Sequence, residues 1–226
     1  MKMNRKRNVI FLFCFLTAVL LFSGILSGIA AEDTAADPEL AFEEKIAGLE
    51  EKGLIPAASG TYLSLGDYED SLALMGYVRK VPLMEAENFV ISVHMAWESA
   101  NRTPNTQTAG CGIIFNSGNG SSDYVLASVR MDGAVYITGL KYYTQLSYGK
   151  FFYGLPSVEG SADFLMIVNN QKASVYVNDQ LIATASNIPV MGNEIGLGIL
   201  SGTYQDFGNR CKFGDIRIYT WVSDQE

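Results

Sequence analysis

Aromatic residues are concentrated in one stretch of this chain, KYYTQLSYGKFFYGLP, where tyrosine and phenylalanine fill six of sixteen positions. Exposed aromatic rings can bind sugars, because a pyranose has an apolar face that stacks on the ring and a rim of hydroxyl groups. A second polar and aromatic group, TYQDF, lies later in the chain. The candidate ligand-binding residues are Tyr142, Tyr143, Tyr153, Tyr204 and Asp206. The alternative is that strands favour aromatic residues and that half of these rings pack inward.

Paired carboxylates suited to glycoside hydrolysis are not evident in the sequence. That reaction needs two carboxylates flanking one bond, and a strand supplies them when they occupy alternate positions of one face. The nearest approaches are Glu85 with Glu87 and Asp67 with Glu69. Both pairs lie in sequence typical of turns and are interpreted as solvated charges. No catalytic residue is assigned.

The sequence offers few residues suited to nucleophilic catalysis or metal binding. His94 is the single histidine, and no Gly-x-Ser-x-Gly sequence is present to expose a serine. One histidine and two cysteines available for pairing argue against a zinc or iron site. His94 lies on the strand face opposite the apolar residues, so both a solvent-exposed role and a ligand contact stay open.

The elements that must position these residues are strands. Between Asn88 and Trp97 apolar and other residues alternate strictly, the period of a half-buried strand. Later segments repeat this pattern between turn residues, and Asp132-Gly133 and Asn178-Asp179 are hairpin signals. The predicted strands are Thr61 to Leu65, Leu72 to Val81, Asn88 to Trp97, Gly110 to Asn116, Asp123 to Met131, Ala134 to Lys141, Thr144 to Phe151, Asp163 to Asn169, Lys172 to Val177, Gln180 to Thr184, Glu194 to Leu200 and Cys211 to Val222. The fold class is an all-β, antiparallel sandwich of about a dozen strands.

Residues 31–59 are predicted to form an acidic tether and one short helix. Asp37 can cap this helix, Pro38 suits its first turn, and Gly53 suits its end. One face is apolar and carries Phe42, Ile46 and Leu49. A helix this short is marginal alone, so it either docks on the sandwich or acts as a stalk.

Residues 1–30 have the pattern of an export signal. Lys2, Arg5, Lys6 and Arg7 precede an uncharged apolar run from Val9 to Ala30. Small residues favour cleavage after Ala30, although a run of this length in 9–30 can also serve as a membrane tether. Either outcome predicts an extracellular or cell-surface protein.

The charge of the chain excludes several partners. The formal net charge is −8, and removal of the four cations in residues 1–30 would take it to −12. A phosphate backbone or an anionic membrane surface would be repelled by such a protein. Nucleic acid is therefore not an expected partner.

Two cysteines, Cys111 and Cys211, remain after the export segment, and both lie in predicted strands. Outside the cell an even number of cysteines predicts pairing. The sequence therefore predicts a disulfide between them, with two separate buried thiols as the alternative.

The order of elements from residue 60 resembles the concanavalin A-like lectin/glucanase superfamily, including laminin-G-like and related bacterial extracellular domains. The resemblance is carried by NFVISVHMAW, AGCGIIFN, SDYVLASVRMDGAVYI, FLMIVNNQKASVYVNDQLIAT and GLGILSGTYQDFGNRCKFGDIRIYTW. It implies a jelly-roll sandwich over residues 60–226. It also implies that the final strand returns beside the first, which fits the predicted disulfide.

The resemblance implies a function related to carbohydrate. The leading hypothesis is an exported, non-catalytic module that binds carbohydrate or a cell-surface glycan. The alternatives are a glycoside-processing enzyme, of the glucanase or 3-keto-disaccharide hydrolase type, and a structural or protein-interaction domain. Cofactors are not expected, except that laminin-G-like domains often hold calcium at the rim, where residues 116–123 and 206–209 supply oxygen donors.

Overall fold

A computed structural model of the chain describes residues 38–57, 59–118 and 122–222. The described part holds one helix, α1 (Pro38–Glu51), followed by strands only. The strands are β1 (Thr61–Leu65), β2 (Tyr68–Leu72), β3 (Val78–Glu85), β4 (Asn88–Ser99), β5 (Gly110–Ser117), β6 (Tyr124–Arg130), β7 (Ala134–Lys141), β8 (Thr144–Phe152), β9 (Glu159–Asn169), β10 (Lys172–Val177), β11 (Gln180–Ala185), β12 (Glu194–Leu200) and β13 (Asn209–Trp221). The predicted export segment 1–30 and tether residues 31–37 lie outside the described residues.

The strands form two antiparallel sheets. The seven-stranded sheet has the order β1-β13-β4-β9-β10-β11, and β2 also pairs with β13. The six-stranded sheet has the order β3-β12-β5-β6-β7-β8. The last strand thus returns beside the first, as the resemblance implied, and the all-β sandwich is confirmed.

The main core lies between the sheets and is filled by alternate strand residues. On β4 the inward residues include Phe89, Ile91 and Val93, and on β6 they include Val125 and Ala127, all fully or nearly fully buried. Their neighbours in sequence point to the opposite sides of the sheets, because successive side chains of a strand alternate. The alternation read from Asn88 to Trp97 is therefore confirmed.

Helix α1 covers part of the outer face of the seven-stranded sheet. Its apolar face packs Phe42, Ile46 and Leu49 into a second core with residues of the outer sheet face that include Tyr219 and Trp221. The rings of Tyr62 and Tyr219 lie 4.8 Å apart between their centroids in the same region. Of the two options left open by the sequence, docking is the one observed. In the described residues, no helix is long and apolar enough to cross a membrane.

The predicted disulfide is confirmed and joins the two sheets. Cys111 lies on β5 of the six-stranded sheet and Cys211 on β13 of the seven-stranded sheet, with 5.8 Å between their Cα atoms. Both residues are fully buried in the main core. The bond therefore crosses the interior of the sandwich.

One predicted strand differs from the structure. The segment from Leu72 to Val81 is divided by a turn that contains Gly76 at φ 84°, and β3 extends to Glu85 instead. Pro82 is tolerated inside β3 because this strand lies at the edge of its sheet, where a missing donor faces no partner. The described chain therefore has thirteen strands.

Candidate functional site

The outer face of the six-stranded sheet carries polar side chains beside a small buried apolar cluster of Ile114, Leu126 and Leu200. The strand register aligns one outward residue from each strand across the full width of the sheet. In order from β3 to β8 these residues are Lys80, Gly198, Gly112, Ser128, Tyr136 and Lys150. A lysine thus stands at each edge of the sheet, with two glycines, a serine and a tyrosine between them.

The turn between β7 and β8 consists of Tyr142 and Tyr143, here called the tyrosine turn. The flanking residues Lys141 and Thr144 are paired, so these two tyrosines form the whole connection. Their side chains are 77% and 88% exposed, among the most exposed aromatic residues that the structure describes. Two large rings are thus presented to solvent at the tip of a hairpin.

The backbone of the tyrosine turn is strained. Tyr142 has φ 48° and Tyr143 has φ 62°, the left-handed region that Asn and Gly occupy far more readily. Each such residue costs of the order of 1 to 3 kcal/mol, and conformations of this kind cluster at ligand-binding sites. The turn is held by Asp123, whose Oδ1 accepts a hydrogen bond from the Tyr142 backbone N–H at 2.9 Å. The molecule thus fixes two exposed tyrosines where smaller residues would be more stable.

The other three predicted ligand residues lie at the opposite end of the six-stranded sheet. Tyr153 follows β8, is half-buried and packs against the main core. Its burial, with Asp132 nearby, raises its pKa to about 12. Tyr204 is exposed in the β12–β13 loop, where its hydroxyl donates to the Met75 carbonyl at 3.4 Å, and Asp206 is exposed in the same loop.

The predicted residues therefore fall into two groups rather than one. The tyrosine turn follows Lys141 at one end of β7, whereas Tyr153, Tyr204 and Asp206 lie beyond the end where β7 begins. The seven steps from Ala134 to Lys141 cover about 23 Å of extended strand. A small sugar at one end could not contact the other.

A network of charged and aromatic groups, here called the Arg130 network, stands near the second group. It was not predicted from the sequence. Its members are Ser128, Arg130, Asp132, Tyr136 and Lys150. The Arg130 side chain donates from Nε to the Ser128 hydroxyl at 2.7 Å and from Nη1 to the Gln107 carbonyl at 2.9 Å.

Asp132 organises the exposed side of the Arg130 network. Its Oδ2 accepts from the Tyr136 hydroxyl at 2.7 Å and from Lys150 Nζ at 2.8 Å, while its buried Oδ1 has no hydrogen-bond partner. The bond to Asp132 is the largest cause of the raised pKa of Lys150. Lys150 also lies 4.6 Å from the centroid of the Phe152 ring, which is mostly exposed. An exposed ring thus stands beside fixed donors and acceptors, the combination that suits a sugar.

The sequence carried a partial signal for the Arg130 network. Alternation from the inward residue Val129 places Ser128 and Arg130 on the outer face, and the hairpin signal at Asp132-Gly133 brings β7 beside them. The connection comprises three residues, Met131 to Gly133, with Gly133 at φ 78°. The burial of Arg130 depends on Gln107, which precedes it by 23 residues, and no local pattern predicts that contact.

The grooves on the outer face of the seven-stranded sheet include one between β4 and β9 and one that contains His94. One, of about 470 Å³, is lined by Glu98 and Glu159, which are direct cross-strand partners, and by Arg210, which is 3.3 Å from Glu98. The other lies beside α1, where His94 Nδ1 is 2.7 Å from an oxygen of Asp163. His94 is on the outer face, as the alternation predicted.

Calcium at the rim stays a prediction from the resemblance. Within the described ranges, no group of three or more His, Cys, Asp or Glu side chains could hold a metal ion. Residues 119–121 of the proposed loop lie outside those ranges. Asp123, at the end of that loop, fixes the tyrosine turn.

No protein-family model matches the chain, and no curated protein matches its sequence. Solved structures do resemble it in fold. The carbohydrate binding module CBM66 of Bacillus subtilis has 12% identity and a TM-score of 0.52, with 69% of this chain and 94% of that chain covered. The β-glucanase of Bacillus licheniformis has 14% identity and a TM-score of 0.46, with 62% and 69% covered. Galectin LEC-6 of Caenorhabditis elegans has 12% identity and a TM-score of 0.42, with 69% and 96% covered.

The likeness to CBM66 supports the fold assignment. The chain has a concanavalin A-like jelly roll, as its strand order indicated. At such low identity these likenesses carry no information on which residues bind a ligand.

Proposed function

We propose that this protein is an exported, non-catalytic module that binds carbohydrate on the six-stranded sheet and its ends. The observation that carries the proposal is the tyrosine turn: two exposed rings are held in a strained backbone by a bond to Asp123. Strain of this kind persists only where the surrounding structure imposes it. Stacking on a sugar gives these rings a use that a structural turn would not need.

The opposite end of the sheet supplies hydrogen-bonding groups for the same ligand. The Tyr136 O–H is already donated to Asp132, whereas the Lys150 ammonium has further N–H groups to donate, and Phe152 offers a face beside it. Tyr204 and Asp206 are exposed in the β12–β13 loop at the same end. Because the two ends are about 23 Å apart along β7, the proposed ligand is a glycan chain rather than a monosaccharide.

A glycoside hydrolase is the second candidate, and one observation favours it. Glu98 and Glu159 are directly opposed on β4 and β9. Cβ atoms in such pairs are about 5 Å apart, and carboxyl groups of retaining glycosidases are separated by a similar distance. Against this role, Glu98 is already engaged by Arg210. A structural or protein-interaction domain that binds no sugar is the third candidate.

Binding and hydrolysis measured on one panel of glycans separate the three candidates. We expect binding without turnover, and at least a tenfold loss of affinity in Tyr142→Ala/Tyr143→Ala, since stacking contributes of the order of 1 kcal/mol per ring. Leu40→Ala is the matched control, because Leu40 is an exposed apolar residue of α1, which packs on the other sheet away from both groups. Turnover that is lost in Glu98→Gln or Glu159→Gln would establish the enzyme instead. If neither binding nor turnover is observed, the structural or protein-interaction domain is the remaining candidate.

Export is the remaining part of the proposal, and it places the protein outside the cell or on its surface. The support comes from the apolar run in 9–30 and from a disulfide, which persists in oxidising compartments. Intact-mass measurement of secreted material should give a chain that begins near Ala31. Recovery only in membranes with the first residues attached would show that 9–30 is a tether.

A further inference from the structure

Arg130 is a buried cation that lacks a carboxylate partner. Its side chain is 7% exposed, and within the part of the chain that the structure describes no carboxylate oxygen lies within 4.0 Å of its guanidinium nitrogens. Two hydrogen bonds, to Ser128 and Gln107, use two of its five N–H groups. A charge buried without a counterion destabilises a fold, so its presence needs a reason.

The nearest carboxylate does not neutralise Arg130, because it is committed elsewhere. Asp132 holds Tyr136 and Lys150 through the same oxygen. Burial lowers the pKa of Arg130 to about 10, which still leaves the guanidinium charged at neutral pH. Arg130, Lys150 and Asp132 together therefore carry one excess positive charge, in a chain whose formal net charge is −8.

The guanidinium is also held in one orientation. Its Nε and Nη1 are fixed by bonds of 2.7 and 2.9 Å, and its carbon lies 5.1 Å from the centroid of the Tyr136 ring. A planar guanidinium binds a carboxylate through two parallel hydrogen bonds, and prior orientation reduces the entropy lost on binding. A neutral hydroxyl would leave the buried charge uncompensated.

We infer that Arg130 is a carboxylate receptor and that the ligand of this face is an acidic glycan, with a uronate residue placed at the Arg130 network. This inference rests on the proposed function. It adds a chemical class of ligand: a chain that bears carboxylates, with one sugar at Arg130 and others extending toward the tyrosine turn. The excess positive charge of the network would attract such a chain locally despite the acidity of the whole protein.

The test uses nuclear magnetic resonance of the Arg130 Nε–H group, which donates to Ser128 and is shielded from solvent. The folded protein is titrated at constant ionic strength with glucuronate, with glucose and with acetate. We expect glucuronate to shift this resonance and to bind at least roughly tenfold more tightly than glucose, because bonds to a charged acceptor are stronger. Glucuronate should also bind more tightly than acetate, because only the sugar has a ring that can stack on Phe152. Monosaccharides contact the Arg130 network alone, so the result does not depend on the tyrosine turn.

Variants assign the effect to Arg130. Arg130→Lys keeps the charge but loses the planar fork, and we expect the preference for glucuronate over glucose to fall at least severalfold. Ser128→Ala frees Nε of Arg130 and should weaken the preference for glucuronate without removing the charge. It is the variant to use if Arg130→Lys does not fold. Lys172→Gln, a change at an exposed lysine of β10 on the other sheet, is the matched control and should leave the preference intact.

The outcomes are distinguishable from failure of the proposed function. Equal binding of glucose and glucuronate would overturn the acidic ligand and leave carbohydrate binding in place. Equal shifts by acetate and glucuronate, with none by glucose, would support the carboxylate receptor and count against a sugar ligand. No shift by any of the three would make Arg130 a structural residue and overturn the inference.

Discussion

At the scale of single residues, this protein has side chains in arrangements that destabilise the fold. Tyr142 and Tyr143 occupy backbone conformations that suit Asn and Gly. Arg130 is buried without a carboxylate beside it. Both departures lie on or beside the same sheet, and each can be tested separately by substitution.

Replacement of the tyrosine turn by Tyr142→Asn/Tyr143→Gly should separate stability from binding. Asn-Gly is the preferred sequence for this turn, so we expect unfolding in urea to cost about 1 to 3 kcal/mol more than in the wild type, together with loss of glycan binding. The bond from the backbone N–H of residue 142 to Asp123 is retained. Unchanged stability would show that the turn is not strained.

Tyr153 should ionise at higher pH than an ordinary tyrosine. Burial raises its pKa to about 12, so the folded state binds its proton more tightly than the unfolded state does. Its contribution to stability is therefore complete below about pH 10 and is lost as the pH rises toward 12. Tyr153→Phe should remove the last phase of the ultraviolet titration of ionised tyrosine. Persistence of that phase would assign it to another residue.

At the scale of elements, α1 is a structural part of the sandwich. Ile46 is 1% exposed in the second core, and we expect Ile46→Ala to lower the free energy of unfolding by about 2 to 4 kcal/mol. Glu44→Ala, on the exposed side of the same helix, is the matched control and should change it by less than about 0.5 kcal/mol. Equal effects of the two variants would mean that α1 is not docked in solution.

The elements also show what the sequence can and cannot predict. Alternation located β4 and its inward face, and strand ends at Lys141 and Thr144 left Tyr142 and Tyr143 as a connection. The left-handed conformation of two tyrosines could not be expected from turn preferences. Tyr153 follows them closely in sequence but lies at the far end, because β8 runs the length of the sheet between them.

Arg130 illustrates a different limit of sequence information. Its place on the outer face follows from alternation, and an outward arginine on a strand is ordinarily solvated. Its burial depends on contacts with Gln107 from the loop before β5 and with Tyr136 on the next strand. Such contacts are set by the tertiary fold rather than by local pattern.

At the scale of the whole molecule, the disulfide is the one covalent cross-link between the sheets, apart from the backbone itself, among the described residues. Cys111→Ala/Cys211→Ala should lower the free energy of unfolding by about 4 to 5 kcal/mol in the chain-entropy model, because the closed loop spans 100 residues. Reductant should lower the stability of the wild type to that of the variant and leave the variant unchanged. Two free thiols titrated in denatured, unreduced protein would contradict the bond.

The position of this bond also decides how the molecule would respond to mechanical tension. β1 and β13 are antiparallel neighbours with Thr61 opposite Thr220. A pull on the two ends of the described chain therefore breaks the hydrogen bonds of this pair one after another. Unravelling of β13 stops at Cys211, which is bonded to Cys111. Every residue of the tyrosine turn and of the Arg130 network lies between these two cysteines, and tension passes through the sulfur atoms instead of through that segment. Reduction under load should release roughly 350 Å of additional chain for the 100 residues enclosed. The oxidised protein can therefore be pulled by its ends while the tyrosine turn and the Arg130 network stay off the path of the force.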